Sequence, residues 1–223
     1  MDKKLLCSAA AKFILGLVCT GALLFLPAGT ICFSNGWLLM AVMFLPMFVA
    51  GLVMMKANPA LLRNRLQAKE QQGEQRLVVV LSGLMFLCGF VAAGLDFRFG
   101  WSAMPGWIPI CAAAVFLVAY GLYAEVLREN TWLSRTVRVQ QGQQVVDTGL
   151  YGIVRHPMYA ATVILFLTVP LVLESWVSFA VFLIYPFLIV KRIRNEEQVL
   201  EAELNGYVDY KRRVKYRLIP YIW

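Results

Sequence analysis

Apolar residues dominate segments 10–33, 37–55, 77–97 and 107–127, each close to the roughly 20 residues a helix needs to cross about 30 Å of hydrocarbon. The pattern predicts four full transmembrane helices. Two shorter apolar runs, 158–173 and 176–190, contain Pro170 and Pro186 and are separated by Glu174 and Ser175. They are short for full crossings and predict a tight helical hairpin. It either just spans a thinned bilayer or enters and returns without crossing, a geometry tolerated where protein covers the backbone. Both versions bring the chain back to the same side, where Ile193, Val199, Leu200 and Leu204 supply the buried face of an amphipathic helix. The expected fold is all-α: a polytopic transmembrane helix bundle of four full spans, a short C-terminal helical hairpin and a cytoplasmic C-terminal helix. It divides into a region 1–127 and a polar-rich region 128–223.

Composition supports this class. The chain has 223 residues, 60% of them hydrophobic and 15% charged, whereas globular domains carry about 25% charged residues. The net charge of +8 follows from topology. On the predicted spans every basic residue except Arg98 falls on one face, which the positive-inside rule makes cytoplasmic, with both termini inside. Anionic membrane lipids attract such a face by about 1 kcal/mol per juxtamembrane basic residue. The compactness of the chain fits a bacterial inner membrane. No basic run is interleaved with aromatics as in a nucleic-acid module, so no nucleic-acid partner is expected.

The N-terminal apolar stretch is longer than the core of a cleaved signal and is followed by further spans, so it reads as a retained helix. Cys7, Cys19, Cys32, Cys88 and Cys111 lie scattered in apolar segments, without the clustering that a metal site or disulfide framework needs. No metal is expected. Asn58-Pro59 can open a short interfacial helix carrying Leu61, Leu62 and Leu66, which Gln71-Gln72-Gly73 should end. Trp37, Trp101 and Trp107 sit at span ends, where indoles favour the headgroup region.

Polar chemistry collects after Leu127. A loop carrying Arg135, Arg138, Gln140, Gln141, Gln143, Gln144 and Asp147 leads to a turn at Thr148-Gly149 and is long enough to fold over a site. His156, the one histidine, precedes Pro157, which suits the first turn of a helix. The imidazole can cap that helix, or it can join the helix amides in holding an anion. Arg192 and Glu196, four apart, share a helix face and can pair with each other or point at one ligand. Glu197, Glu201 and Glu203 read as the solvated side of that amphipathic helix. Glu125, Arg128 and Glu129 read as an interfacial ion-pair group at the end of the fourth span.

Val145-Val146-Asp147-Thr148-Gly149-Leu150-Tyr151, then Arg155-His156-Pro157-Met158-Tyr159, then Arg192 with Glu196-Glu197, then Tyr207-Val208-Asp209-Tyr210 before Leu218-Ile219-Pro220, resemble the isoprenylcysteine carboxyl methyltransferase family over roughly the last ninety residues. The resemblance implies an integral membrane methyltransferase using S-adenosylmethionine. It carries over Gln140, Val145, Val146, Tyr151, His156, Pro157, Met158, Tyr159 and Glu196 as cofactor contacts, and Arg192 as the residue facing the substrate. The loop is shorter than the eukaryotic pattern, and Gln143 stands where that pattern has histidine.

The residue types suit such a cofactor. Glu196 can accept from an ammonium, His156 and the helix amides can face a carboxylate, and the tyrosines can line a sulfonium by cation–π attraction worth about 0.5 to 2 kcal/mol. The expected catalytic residues are Arg192 and His156. Arg192 would grip an acceptor carboxylate, and His156 would serve where an amine or thiol needs a proton acceptor. The expected acceptor is a lipophilic small molecule or lipid-anchored substrate, most directly an isoprenylcysteine-like carboxylate. A phospholipid amine or small thiol, a sterol-type NADPH reductase reaction, and a non-enzymatic transporter or scaffold role remain alternatives.

Overall fold

The computed structural model describes residues 3–66, 73–134, 136–137 and 139–223. The basic residues Lys69, Arg135 and Arg138, and the Gln71-Gln72 pair expected to end the interfacial helix, lie outside them. The described residues form α1 (Lys3–Ala28), α2 (Ser34–Ala57), α3 (Pro59–Leu66), α4 (Gly73–Phe99), α5 (Trp107–Glu129), a 3-10 turn (Gly149–Gly152), α6 (Pro157–Val172), α7 (Trp176–Phe182), α8 (Tyr185–Glu203) and α9 (Tyr207–Arg213). The expected interfacial helix is α3, and the Asn58 side chain caps it by accepting from the Leu61 N–H at 3.0 Å.

Five of these helical stretches are long and apolar enough to cross a membrane: α1, α2, α4, α5 and the limb Trp176–Glu203 formed by α7 running into α8. The protein is a multi-pass integral membrane helix bundle with one long apolar limb more than the four that hydropathy counts. The hydropathy pattern stops at Lys191, but the helix does not. The polar residues 191–203 continue α8 without a break, so the expected separate C-terminal helix is the end of the hairpin's return limb, with α9 added beyond it.

The hairpin runs the length of the bundle. At its tip the Asn35 amide donates to Glu174 at 2.6 Å, the Ser175 hydroxyl donates to Asp96, and the Trp176 N–H donates to the Ser102 hydroxyl at 3.1 Å. Those partners sit where α2 begins and α4 ends, so the tip is level with the α1–α2 and α4–α5 turns. Its other end is the basic end of the molecule.

Small residues on α4 let neighbouring backbones approach, as membrane bundles require in the absence of a hydrophobic drive between helices. A Cβ at Gly94 would lie 2.6 Å from the Leu24 carbonyl oxygen of α1, and one at Gly89 would lie 2.3 Å from the Phe182 ring of α7. Ala93 between them is fully buried. Phe33, Phe182, Leu24, Leu39 and Ile193 fill the centre, and α6 packs most extensively on α5. The frame therefore fixes both ends of α6 and α8, the helices that carry the polar motifs.

Candidate functional site

The cleft at the basic end is built from three local decisions of the chain. The first is at Gly149, whose φ of +53° opens the 3-10 turn. Both oxygens of Glu129, at the end of α5, accept from the Leu150 N–H at 3.2 and 3.0 Å. A Cβ on residue 149 would fall 1.5 Å from the Glu129 Oε1 atom, so any other residue there would be strained at this φ and would push the Glu129 carboxylate off the Leu150 N–H. Glu129 is thus a turn anchor, while Glu125 and Arg128 form the ion pair expected of that group.

The turn drives Tyr151 inward. Its hydroxyl accepts from the Asn130 amide at 3.0 Å, and its carbonyl accepts from the Tyr210 hydroxyl at 2.8 Å. Burial pushes the Tyr151 phenol well above the ordinary tyrosine range, with the Asn130 bond pulling slightly the other way and the charge of Glu196 adding to the rise.

The second decision is at His156. The non-helical backbone there (φ −127°, ψ 59°) lets Pro157 take the first position of α6. This segment pairs with the chain after α9: the Arg155 N–H donates to the Tyr216 carbonyl and the His156 N–H to the Arg217 carbonyl, both at 2.9 Å. The imidazole does not cap its helix. Its Nε2 faces Glu197 Oε1 at 3.3 Å, and its ring lies over Tyr159 with centroids 5.7 Å apart.

The third decision corrects the reading of Glu197 as a solvated side chain. It is 3% exposed and forms the hub of a buried charge cluster. Arg155 Nε donates to one carboxylate oxygen at 2.8 Å and Arg217 Nε to the other at 2.9 Å. Arg155 then donates to the carbonyls of Val214 and Lys215 at 2.7 and 2.8 Å. A buried carboxylate needs such compensation. The local pattern of α8 gave no sign of it, because two of the partners come from 42 residues before and 20 residues after. Arg155 thereby staples the segment after α9 to the start of α6, and it also lines the cleft.

Arg192 and Glu196 do share a face of α8, and Tyr159 stands between them. Its hydroxyl accepts from Arg192 Nε at 2.8 Å and donates to Glu196, and the guanidinium lies 5.8 Å from the ring centroid. The fully buried Gln75 of α4 fixes this turn of α8 by donating to the Arg192 carbonyl at 3.2 Å and the Asn195 side chain at 2.7 Å.

Around these groups lies a cleft with about 810 Å³ of empty space, counting the solvent at its open mouth, and narrow in its enclosed part. Of the residues predicted from sequence, Val145, Val146, Tyr151, His156, Met158, Tyr159, Arg192 and Glu196 line it. Gln140 and Pro157 are not among its lining. The Gln140 side chain donates to the Trp132 carbonyl and accepts from Asn64 of α3 at 3.1 Å, tying the loop to the bundle. Pro157 serves as the helix start. Sequence reasoning missed Asn130, Trp132, Leu200 and Tyr207, which also line the cleft. The spacing of Tyr207 and Tyr210 was the one signal that could have found the last of them.

Residues 108–202 match the family model of the Isoprenylcysteine carboxyl methyltransferase (ICMT) family. The chain is 33% identical over 91 residues to the Delta(14)-sterol reductase TM7SF2 of Mus musculus, a stretch that is 40% of this chain and 22% of the relative. Its fold is similar to the solved eukaryotic intramembrane Ras methyltransferase ICMT (isoprenylcysteine carboxyl methyltransferase), with a TM-score of 0.57 and 20% sequence identity. That likeness covers 82% of this chain and 65% of the solved one, so the chain spans less than two thirds of either relative.

Proposed function

We propose, from the match of residues 108–202 to the isoprenylcysteine carboxyl methyltransferase family, that this chain is a membrane methyltransferase that moves a methyl group from S-adenosylmethionine to a lipophilic acceptor, by carboxyl O-methylation of an isoprenylcysteine-like group. The observation that carries the reading is the Arg192–Tyr159–Glu196 array at the cleft, which lies wholly inside the family-matched segment.

The residues suit the cofactor. Glu196 is an acceptor for its ammonium, Tyr151 and Tyr159 give an aromatic wall, and Val145 and Val146 give apolar contact for the base. When bound, S-adenosylmethionine supplies an electrophilic methyl group and leaves as the neutral thioether. The chain's task is alignment, since displacement depends on holding the nucleophile in line at near-attack distance. Arg192 holds the acceptor carboxylate and aims one oxygen. A carboxylate is already ionised at neutral pH and needs no general base. His156, with Nε2 facing Glu197 and its ring on Tyr159, therefore orients Tyr159 in place of moving a proton.

The basic end faces the cytoplasm in this reading, with both termini inside, so a soluble cofactor and an apolar substrate reach the cleft from different phases. Region 1–127 would shape the acceptor's apolar path. The test is calorimetric binding of S-adenosylhomocysteine to the detergent-purified protein. Glu196→Ala and His156→Ala are expected to weaken it by about 10- to 100-fold, the range for hydrogen bonds to charged groups. Unchanged affinity in both defeats the site assignment. Turnover with labelled cofactor on prenylcysteine analogues, against lipid extracts and thiols, identifies the acceptor.

A second reading, a reductase with a nicotinamide cofactor, is favoured by the 33% identity to the sterol reductase. Binding of NADPH without binding of S-adenosylhomocysteine would establish it.

A further inference from the structure

Among the described residues, two buried side-chain polar atoms have no hydrogen-bond partner: Gln75 Oε1 and the Tyr207 hydroxyl. Gln75 is not part of the cleft lining, and its amide nitrogen is already used to hold α8. Tyr207 is different. It lines the cleft, is 4% exposed, and its ring is fixed in a small apolar cluster with Leu204, Tyr210, Val214, Val145 and Leu200. The left-handed Gly206 (φ +84°) turns the chain sharply into α9 and presents the ring inward.

Its neighbour makes the contrast plain. Tyr210 packs in the same cluster, with ring centroids 5.7 Å apart, and spends its hydroxyl on the Tyr151 carbonyl. Phenylalanine would fill the Tyr207 position equally well for packing, and a buried hydroxyl with no partner is a cost to the fold. Such a group is explained if something outside the chain completes its bonding.

We propose that the Tyr207 hydroxyl is a ligand-binding group of the cleft that donates to the carboxylate at the amino-acid end of S-adenosylmethionine, while Glu196 accepts from the ammonium of the same end; the proposal rests on the methyltransferase reading above. The chemistry selects that end of the ligand. In an α-amino acid the ammonium and carboxylate share one carbon, so a donor near the ammonium's acceptor meets the carboxylate. Glu196 and Glu197 are near enough to act electrostatically on Tyr207, and burial with those two carboxylates pushes its phenol far above the ordinary range, so the group is a donor at every working pH. Arg155, the cation that acts on the same hydroxyl, adds a favourable field for an anion.

The experiment compares the parent protein with Tyr207→Phe and Tyr210→Phe, reading thermal unfolding without ligand and affinity for two probes. S-adenosylhomocysteine carries the amino-acid end; 5′-methylthioadenosine lacks it. For Tyr207→Phe the expected result is an unfolding temperature equal to or above the parent's, affinity for S-adenosylhomocysteine lowered roughly tenfold, and displacement by 5′-methylthioadenosine unchanged. For Tyr210→Phe the unfolding temperature falls. Equal affinity of the parent and Tyr207→Phe for S-adenosylhomocysteine overturns this inference alone, as does a lowered unfolding temperature in Tyr207→Phe or an equal loss for both probes. Failure of the parent to bind S-adenosylhomocysteine overturns the proposed function and this inference with it.

Discussion

Two buried carboxylates hold the two ends of this bundle, and they are satisfied by different means. Asp96, at the hairpin tip, is 2% exposed and accepts from neutral donors: the Ser102 N–H at 2.7 Å, the Ser102 hydroxyl at 2.6 Å and the Ser175 hydroxyl. Glu197, at the cleft, is as deeply buried but meets two guanidiniums and an imidazole. Neutral donors make a local clasp that closes turns already near one another. The cationic hub gathers distant segments, the start of α6 and the chain after α9, and in doing so sets the orientation of His156 and, through its ring, Tyr159. One end is a fastening; the other fastens and positions chemistry.

That contrast can be tested by removing each hub. Glu197→Ala leaves Arg155, His156 and Arg217 without their shared counter-charge and is expected to destabilise by about 3–5 kcal/mol, the usual result of breaking a buried pair from one side. Thermal unfolding in detergent should fall sharply, and affinity for S-adenosylhomocysteine should be lost in whatever protein remains folded. Asp96→Ala is expected to cost about 1–3 kcal/mol, because it strands hydroxyl donors and not charges. Its signature is lowered unfolding temperature with ligand affinity unchanged. If Asp96→Ala weakens binding as much as Glu197→Ala does, the division between the two ends is wrong.

Gly149→Ala comes next. It combines a left-handed backbone with a collision against Glu129 and should cost about 1–3 kcal/mol. The loss should appear as weaker ligand binding through Tyr151 as well as lower stability. The smallest effect is expected from Asn64→Ala, which removes one bond to Gln140. A change of about 0.5–1.5 kcal/mol in unfolding, without effect on affinity, would show Gln140 to be a tether of the loop and not a cofactor contact.

Much of this architecture was legible in the chain because its causes are local. Apolar length marks α1, α2, α4 and α5, Asn58-Pro59 opens α3, and Pro157 opens α6. The shared face of Arg192 and Glu196 follows from helical spacing, and Tyr159 joins them in space. What escaped had distant causes. Glu197 sits on what reads as a solvated face, and it is enclosed by Arg155 and His156 from before α6 and Arg217 from after α9. Asp96 and Ser175 are 79 residues apart, and no periodicity connects them. The continuous α7–α8 limb was hidden because a hydropathy window ends where charges begin, while backbone hydrogen bonding carries a helix past that boundary.

The backbone pairing of residues 155–156 with 216–217 also has a bearing on biosynthesis. The helices of the bundle leave the ribosome and can enter the bilayer before the segment that pairs with residues 155–156 has been translated. On the proposed methyltransferase reading, nascent chains stopped before residue 214 should insert yet fail to retain S-adenosylhomocysteine, because the residues that pair with Arg155 and His156 are missing.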